Sequence, residues 1–178
     1  MVTSEVTSLK PLNWREGVLS LLDQTRLPAE EVWLEISDYR EIVEAIQGMR
    51  VRGAPAIGIA GAYAVALAAK ELANQPLDEF AVNLTAAADS IVRARPTGAN
   101  LGWAVRRMLA TVRSAKTPGV AAATLVEEAV RIQMEDEAAN MAIGSLGAEL
   151  LPSQGAILTH CNAGALATAG YGTALGVI

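Results

Sequence analysis

Residues 53–69 carry no charge, lie between Arg52 and Lys70, and take their apolar character from Ala and Gly rather than from Leu or Phe. The run is shorter than the ~20 residues that a membrane helix usually needs, and its composition is poor for one. It predicts a buried helix instead. Pro55 suits the first turn, where its missing amide hydrogen costs nothing. Gly58, Ala60, Gly61 and Ala62 would let neighbouring backbones approach closely. The chain has the material for the core around it: 52% of its 178 residues are hydrophobic, yet only 4% are aromatic, so that core must be built of Ala, Val, Leu and Ile.

Before this run, Val18-Leu19-Ser20-Leu21-Leu22 follows the turn residue Gly17 and reads as a strand. Asp23-Gln24-Thr25-Arg26-Leu27-Pro28 breaks it, and Glu31-Val32-Trp33-Leu34-Glu35-Ile36 alternates like a second strand. A small antiparallel pair is predicted. Ser37 or Asp38 can cap the next helix, whose apolar stripe is Ile42, Val43 and Ile46 and whose end is Gly48. Three further helices are predicted over residues 77–93, 101–113 and 121–151. In the last, Val126, Val130, Met134, Ala138 and Met141 recur at helical spacing and predict one buried face. Glu127 and Arg131 are placed to pair, and Glu135-Asp136-Glu137 reads as a solvated face.

The formal charge of −5 argues against a general nucleic-acid-binding surface. A single cysteine excludes an internal disulfide and suits the cytosol. Met1-Val2-Thr3-Ser4-Glu5 lacks a basic region followed by an apolar core, so no secretory signal is expected.

Three constellations could carry chemistry. In Arg50-Val51-Arg52-Gly53-Ala54-Pro55-Ala56-Ile57-Gly58, two arginines lead into a helix N-terminus, where free amide hydrogens and the helix dipole favour anions. Arg52 could add bidentate contacts to a phosphate. The spacing fits neither a Walker A loop nor the dinucleotide fingerprint, and a plain helix entry with exposed arginines reads equally well. In Arg95-Pro96-Thr97-Gly98-Ala99-Asn100-Leu101, polar groups stand at another helix start, although such residues are also routine loop punctuation. The third is Thr159-His160-Cys161-Asn162-Ala163-Gly164-Ala165, which holds the chain's only cysteine and only histidine.

That third element follows Pro152-Ser153-Gln154-Gly155 and the apolar run Ala156-Ile157-Leu158. The order predicts a turn, a buried strand, and a glycine-containing bend opening into an Ala-rich helix. Ligands of open α/β folds bind where strands deliver their carboxyl ends to such bends, and helix N-terminal amides there stabilise a thiolate. Cys161 is thus either a reactive group or a small buried hydrophobe. His160, its neighbour in a strand, would point to the opposite face. One Cys and one His without spaced carboxylates make no zinc motif. A single strand and helix cannot make a covered parallel sheet, so a further domain or a partner is expected over that surface.

Taken together, these elements resemble the methylthioribose-1-phosphate isomerases, in the larger family that includes regulatory subunits of the eukaryotic initiation-factor exchange complex. The matching residues are Asp23-Gln24-Thr25-Arg26-Leu27-Pro28, Arg50 through Gly58, Arg95-Pro96-Thr97 with Asn100-Leu101, and Thr159-His160-Cys161-Asn162-Ala163-Gly164. Gly98-Ala99 departs mildly from the family pattern. The resemblance implies a mainly α N-terminal domain with a small antiparallel β element over residues 1–152. The first β-α unit of a Rossmann-like domain would follow over 153–178, with the active site in the cleft between the two.

It implies interconversion of an aldose 1-phosphate and its ketose in methionine salvage, with no cofactor or metal, in a cytoplasmic homodimer without nucleic-acid or membrane partners. Arg52, Gly53, Ala54 and Arg95 would bind the phosphorylated pentose, and Cys161 would be catalytic. The family's second catalytic group is an aspartate in the C-terminal domain, which lies beyond Ile178. Three other readings compete: a ribose-1,5-bisphosphate isomerase, which would need extra cationic groups; a noncatalytic regulatory subunit binding a sugar phosphate or nucleotide; and a stand-alone helical interaction domain.

Overall fold

The computed structural model describes residues 9–178; the Met1–Glu5 stretch read above for a leader lies outside the described residues. A three-stranded antiparallel sheet comes first, ordered β1 (Leu12–Arg15), β2 (Val18–Leu22), β3 (Trp33–Ile36). The sequence predicted β2 and β3 as a pair and missed β1, which is only four residues long. Glu16 and Gly17 both take positive φ, 50° and 86°, as a two-residue hairpin turn requires. Leu12 opposes Leu21 across the ladder, and Leu19 opposes Ile36; all four are buried.

Five longer helices and one short one follow: α1 (Tyr39–Gln47), α2 (Ala54–Leu72), α3 (Leu77–Arg93), α4 (Ala99–Thr111), α5 (Pro118–Ala148) and α6 (Ala174–Val177). Asp38 caps α1 by accepting the Arg40 N–H at 2.8 Å, and Gly48 closes it. The uncharged run forms the central helix α2, against which α1, α3, α4 and α5 all pack. Among the described residues it is the one helix long and apolar enough to cross a membrane. Every residue from Ala56 to Ala69 is nevertheless covered by protein.

Small side chains make that packing possible. A Cβ on Gly58 would stand 3.1 Å from the Asn100 carbonyl oxygen, so α2 and α4 touch almost backbone to backbone. Trp14 stacks on Tyr63 with ring centroids 4.8 Å apart, joining the sheet to α2. The Tyr63 hydroxyl donates to Gln133, which donates to the Leu12 carbonyl at 2.9 Å. Burial raises the Tyr63 phenol above its ordinary range.

The face expected on α5 is corrected. Leu125, Ala129, Ile132, Asn140 and Gly144 are buried, whereas Met134 and Met141 are 64% and 56% exposed and Ala138 is also exposed. Val126 and Val130 of the predicted stripe are partly buried against the core, but beyond them the stripe runs beside the buried face that contact with α2 and α4 selects. Glu128 lies inside because Arg107 clamps it at 2.5 Å and Arg131 at 2.7 Å, so Arg131 pairs with Glu128 rather than Glu127. The acidic run is likewise engaged rather than merely solvated. Glu135 binds Arg107, Glu137 binds Lys10, and Asp136 is half-buried.

The strand expected at Ala156-Ile157-Leu158 does not form: the segment is unpaired, and Leu158 is 97% exposed. A parallel strand needs neighbours for its N–H and C=O groups, and no other described residues supply them. The Ala-rich helix expected after the bend is a single 3-10 turn, Ala165–Ala167.

Candidate active site

Two helix starts converge on one hollow. α2 begins behind Gly53 and α4 behind Gly98, and no side chain caps either start. First-turn amides have no intrahelical acceptor, and the helix dipole adds positive potential there. Both starts line a cavity of about 260 Å³, with Gly53, Ala54 and Ile57 on the α2 side and Thr97, Gly98 and Asn100 on the α4 side. Arg95, Cys161 and Asn162 contribute to its wall. An anionic group held by amides and a guanidinium, with a thiol at its edge, matches this lining.

The structure therefore brings Gly53, Ala54, Arg95 and Cys161 together. Arg52 stands apart: it is exposed and lines an adjoining cavity of about 190 Å³ with Gln24, Leu166 and Ala167. Asn162 is common to both hollows. Among the described residues neither Arg52 nor Arg95 is taken up by an ion pair. His160 lines neither hollow.

Local geometry explains how distant segments meet. Gly53 has φ 89°, and a Cβ there would fall 2.5 Å from the Cα of Ala167, so only glycine lets the 3-10 turn sit against the start of α2. Cys161 itself takes φ 70°, a left-handed setting uncommon for a non-glycine residue, and its side chain is exposed. The helix starts that face it belong to α2 and α4, not to a helix following the cysteine.

Sequence reasoning missed Gly98 as a cavity residue because it began α4 at Leu101, two residues late. A glycine just after Arg95-Pro96-Thr97 was the available signal. It also missed the groups that fasten the Cys161 segment to the helical body. Asp136 accepts the Ala169 N–H at 2.8 Å, and the Gln24 side-chain amide donates to the Leu166 carbonyl at 2.8 Å. Tyr171 donates to the Gly176 carbonyl at 2.5 Å, over a space that Gly144 of α5 leaves open.

Burial lifts the Asp136 carboxyl above its usual range, with the Ala169 N–H opposing that shift. A raised folded value means that the folded chain binds more protons than the unfolded chain across that window. Asp136 therefore costs stability at neutral pH, and the cost fades as pH falls through the raised value. Asp136→Asn, which keeps an acceptor for Ala169, is expected to melt at or above the parent temperature at pH 7. Its advantage should shrink in mild acid. Asp136→Ala strands a buried N–H and is expected to lose about 1–3 kcal/mol. Thermal melts of both variants at pH 7 and near pH 4.5 check the pair; equal losses would remove the hydrogen-bond explanation.

Comparison with known proteins decides the family, since the sequence profile of the initiation factor 2 subunit family matches residues 50–178. The chain belongs to that family. A methylthioribose-1-phosphate isomerase of Anaeromyxobacter dehalogenans is 54% identical over 172 residues, covering 96% of this chain and 47% of the relative. One from Syntrophotalea carbinolica is 48% identical over 173 residues, covering 96% and 50%. Among solved structures of the fold, 5-methylthioribose 1-phosphate isomerase from Pyrococcus horikoshii superimposes with a TM-score of 0.86 at 38% identity, covering 94% of this chain and 48% of that one. The delta subunit of translation initiation factor eIF-2B from A. fulgidus gives 0.85 at 40% identity, covering 96% and 50%. The chain thus spans about half the length of the curated relatives it matches.

Proposed function

We propose that this chain builds one wall of the active site of a methylthioribose-1-phosphate isomerase, converting 5-methylthioribose 1-phosphate to 5-methylthioribulose 1-phosphate. The observation that carries the reading is the cavity joining Gly53, Ala54 and Arg95 to Cys161 between two uncapped helix starts. The sugar's phosphate takes the amides of α2 and α4 together with Arg95, and Arg52 supports that charge from the adjoining hollow.

The anomeric phosphate blocks ordinary ring opening. An acid must protonate the ring oxygen while the bond from C1 to that ring oxygen breaks and the bond from C1 to the phosphate stays. Hydrogen then moves from C2 to C1, as a hydride or through an enediol, and the C2 hydroxyl gives up its proton to become the ketone. Cys161, at the cavity edge, serves as acid/base or as a stabiliser of the developing charge. The aspartate that completes the pair in this family comes from the part of the relatives that these 178 residues do not span. Residues 153–178 open that second, Rossmann-like domain, whose remaining elements would cover the exposed Ile157 and Leu158 and exclude water from the reacting carbons. The enzyme is a cytoplasmic homodimer in this reading.

The eIF-2B likeness favours one other reading, a noncatalytic sugar-phosphate or nucleotide binder. Cys161 separates the two, because a pure binding module has no chemical need of a thiol. Calorimetric titration of the 178-residue chain with methylthioribose 1-phosphate, its dephosphorylated form and ribose 1,5-bisphosphate tests the site. We expect binding of the monophosphate, at least tenfold weaker binding of the free sugar, and no turnover. Turnover should appear when the remaining half of a relative is added. Robust turnover by the chain alone, or equal affinity for phosphorylated and free sugar, would contradict the proposal.

A further inference from the structure

The segment Asp23-Gln24-Thr25, part of the break between β2 and β3, contributes no side chain to the cavity that holds Cys161. It is nonetheless built with care. Asp23 is 8% exposed and accepts from the Thr25 N–H at 3.0 Å and the Thr25 hydroxyl at 2.6 Å. Its own N–H donates to the Val32 carbonyl at 2.9 Å, and its carboxylate lies 3.8 Å from the Arg50 guanidinium. The turn is therefore fixed from several sides.

What this turn presents is Gln24, which makes two bonds to opposite sides of the site. Its backbone N–H donates to the Arg50 carbonyl at 2.9 Å, on the irregular segment that leads to Arg52 and Gly53. Its side-chain amide donates to the Leu166 carbonyl at 2.8 Å, in the 3-10 turn that abuts Gly53. Gln24 also lines the smaller hollow between Arg52 and Asn162. One residue thus spans the gap between the arginine-bearing helix entry and the cysteine-bearing bend, which lie more than a hundred positions apart in sequence.

We infer that Gln24 is a positioning residue, which sets the distance between the phosphate-binding helix entry and the Cys161 bend by tethering Leu166. The inference rests on reading the Cys161 cavity as a sugar-phosphate site. Asp136 holds the same segment from the α5 side through Ala169, so losing the Gln24 tether alone should loosen the bend without unfolding the chain. Leu166 would then drift from Arg50, and Asn162, shared by both hollows, would move with it.

Because Cys161 is the only cysteine, its alkylation reports on the bend directly. Gln24→Glu keeps the side chain's shape but replaces the donor with a carboxylate facing the Leu166 carbonyl; Gln24→Ala removes the side chain. Two readouts separate the questions: amide hydrogen exchange of residues 162–169, and protection of Cys161 from iodoacetamide by methylthioribose 1-phosphate. We expect both variants to melt near the parent temperature, to exchange residues 162–169 roughly three- to tenfold faster, as loss of one tether implies, and to lose ligand protection by a similar factor. Gln24→His, which retains a ring N–H donor, should recover part of both. Unchanged exchange at residues 162–169 in Gln24→Glu would overturn the tether. Faster exchange with undiminished protection would overturn the positioning role. If the parent chain itself shows no protection, the sugar-phosphate reading falls, and the exchange result still decides whether the tether exists.

Discussion

Cys161→Ser, introduced into the proposed isomerase assembled with the half that its relatives carry, is expected to lower turnover by about 10²–10⁴-fold, the usual contribution of a positioned acid/base group. Substrate affinity should change little. The hydroxyl is nearly the size of the thiol but far less acidic, so the variant removes chemistry and preserves shape. Cys161 is exposed at the rim of the cavity rather than packed in the core, so the substitution leaves no buried void and folding should be unaffected. Steady-state kinetics alongside a thermal melt reads both effects. Near-normal turnover would remove Cys161 from the catalytic chemistry.

Arg95→Ala is expected to weaken binding of the phosphorylated sugar by roughly 10- to 150-fold, the equivalent of about 1.5–3 kcal/mol for a hydrogen bond to a charged group. Arg52→Ala should act in the same direction but less strongly, because Arg52 lines the adjoining hollow. Lysine should rescue each only partly, since a point charge does not reproduce the planar fork. The comparison that matters is phosphorylated against dephosphorylated sugar, titrated into each variant. Equal losses for both ligands, or no loss for either, would remove the phosphate role from these arginines.

How far this architecture could be read in advance depends on what decides each element. α3 was legible to the residue: Pro76 precedes it, Asp78 and Glu79 fill its first turn, and Arg93 sits in its last. α2 was legible because an uncharged Ala- and Gly-rich run has only the interior to go to. α5 was legible as a helix but not in its facing. The buried side is chosen by the ion pair from Arg107 of α4 to Glu128 and by the Ala-rich surface of α2, which are long-range facts absent from any local period.

The strand at Ala156-Ile157-Leu158 failed for the opposite reason: its local pattern was right for burial, but the three described strands pair only with one another and none lies beside it. Arg95 and Cys161, named from motif residues, line one cavity. The second helix start at Gly98 was missed, because its place in the cavity follows from α4 beginning two residues early. Gln24 and Asp136 bond to backbone atoms of a distant segment and leave no signature in spacing.

The most direct measurement is a crystal structure of the completed enzyme with methylthioribose 1-phosphate bound. The phosphate is expected at the α2 and α4 starts within hydrogen-bonding distance of Arg95, with C1 and C2 of the sugar turned toward Cys161. A phosphate seated elsewhere, for instance against Trp103 in the cavity of about 310 Å³ between α2, α4 and α5, or a sugar bound with Cys161 out of reach of both carbons, would contradict the proposed function.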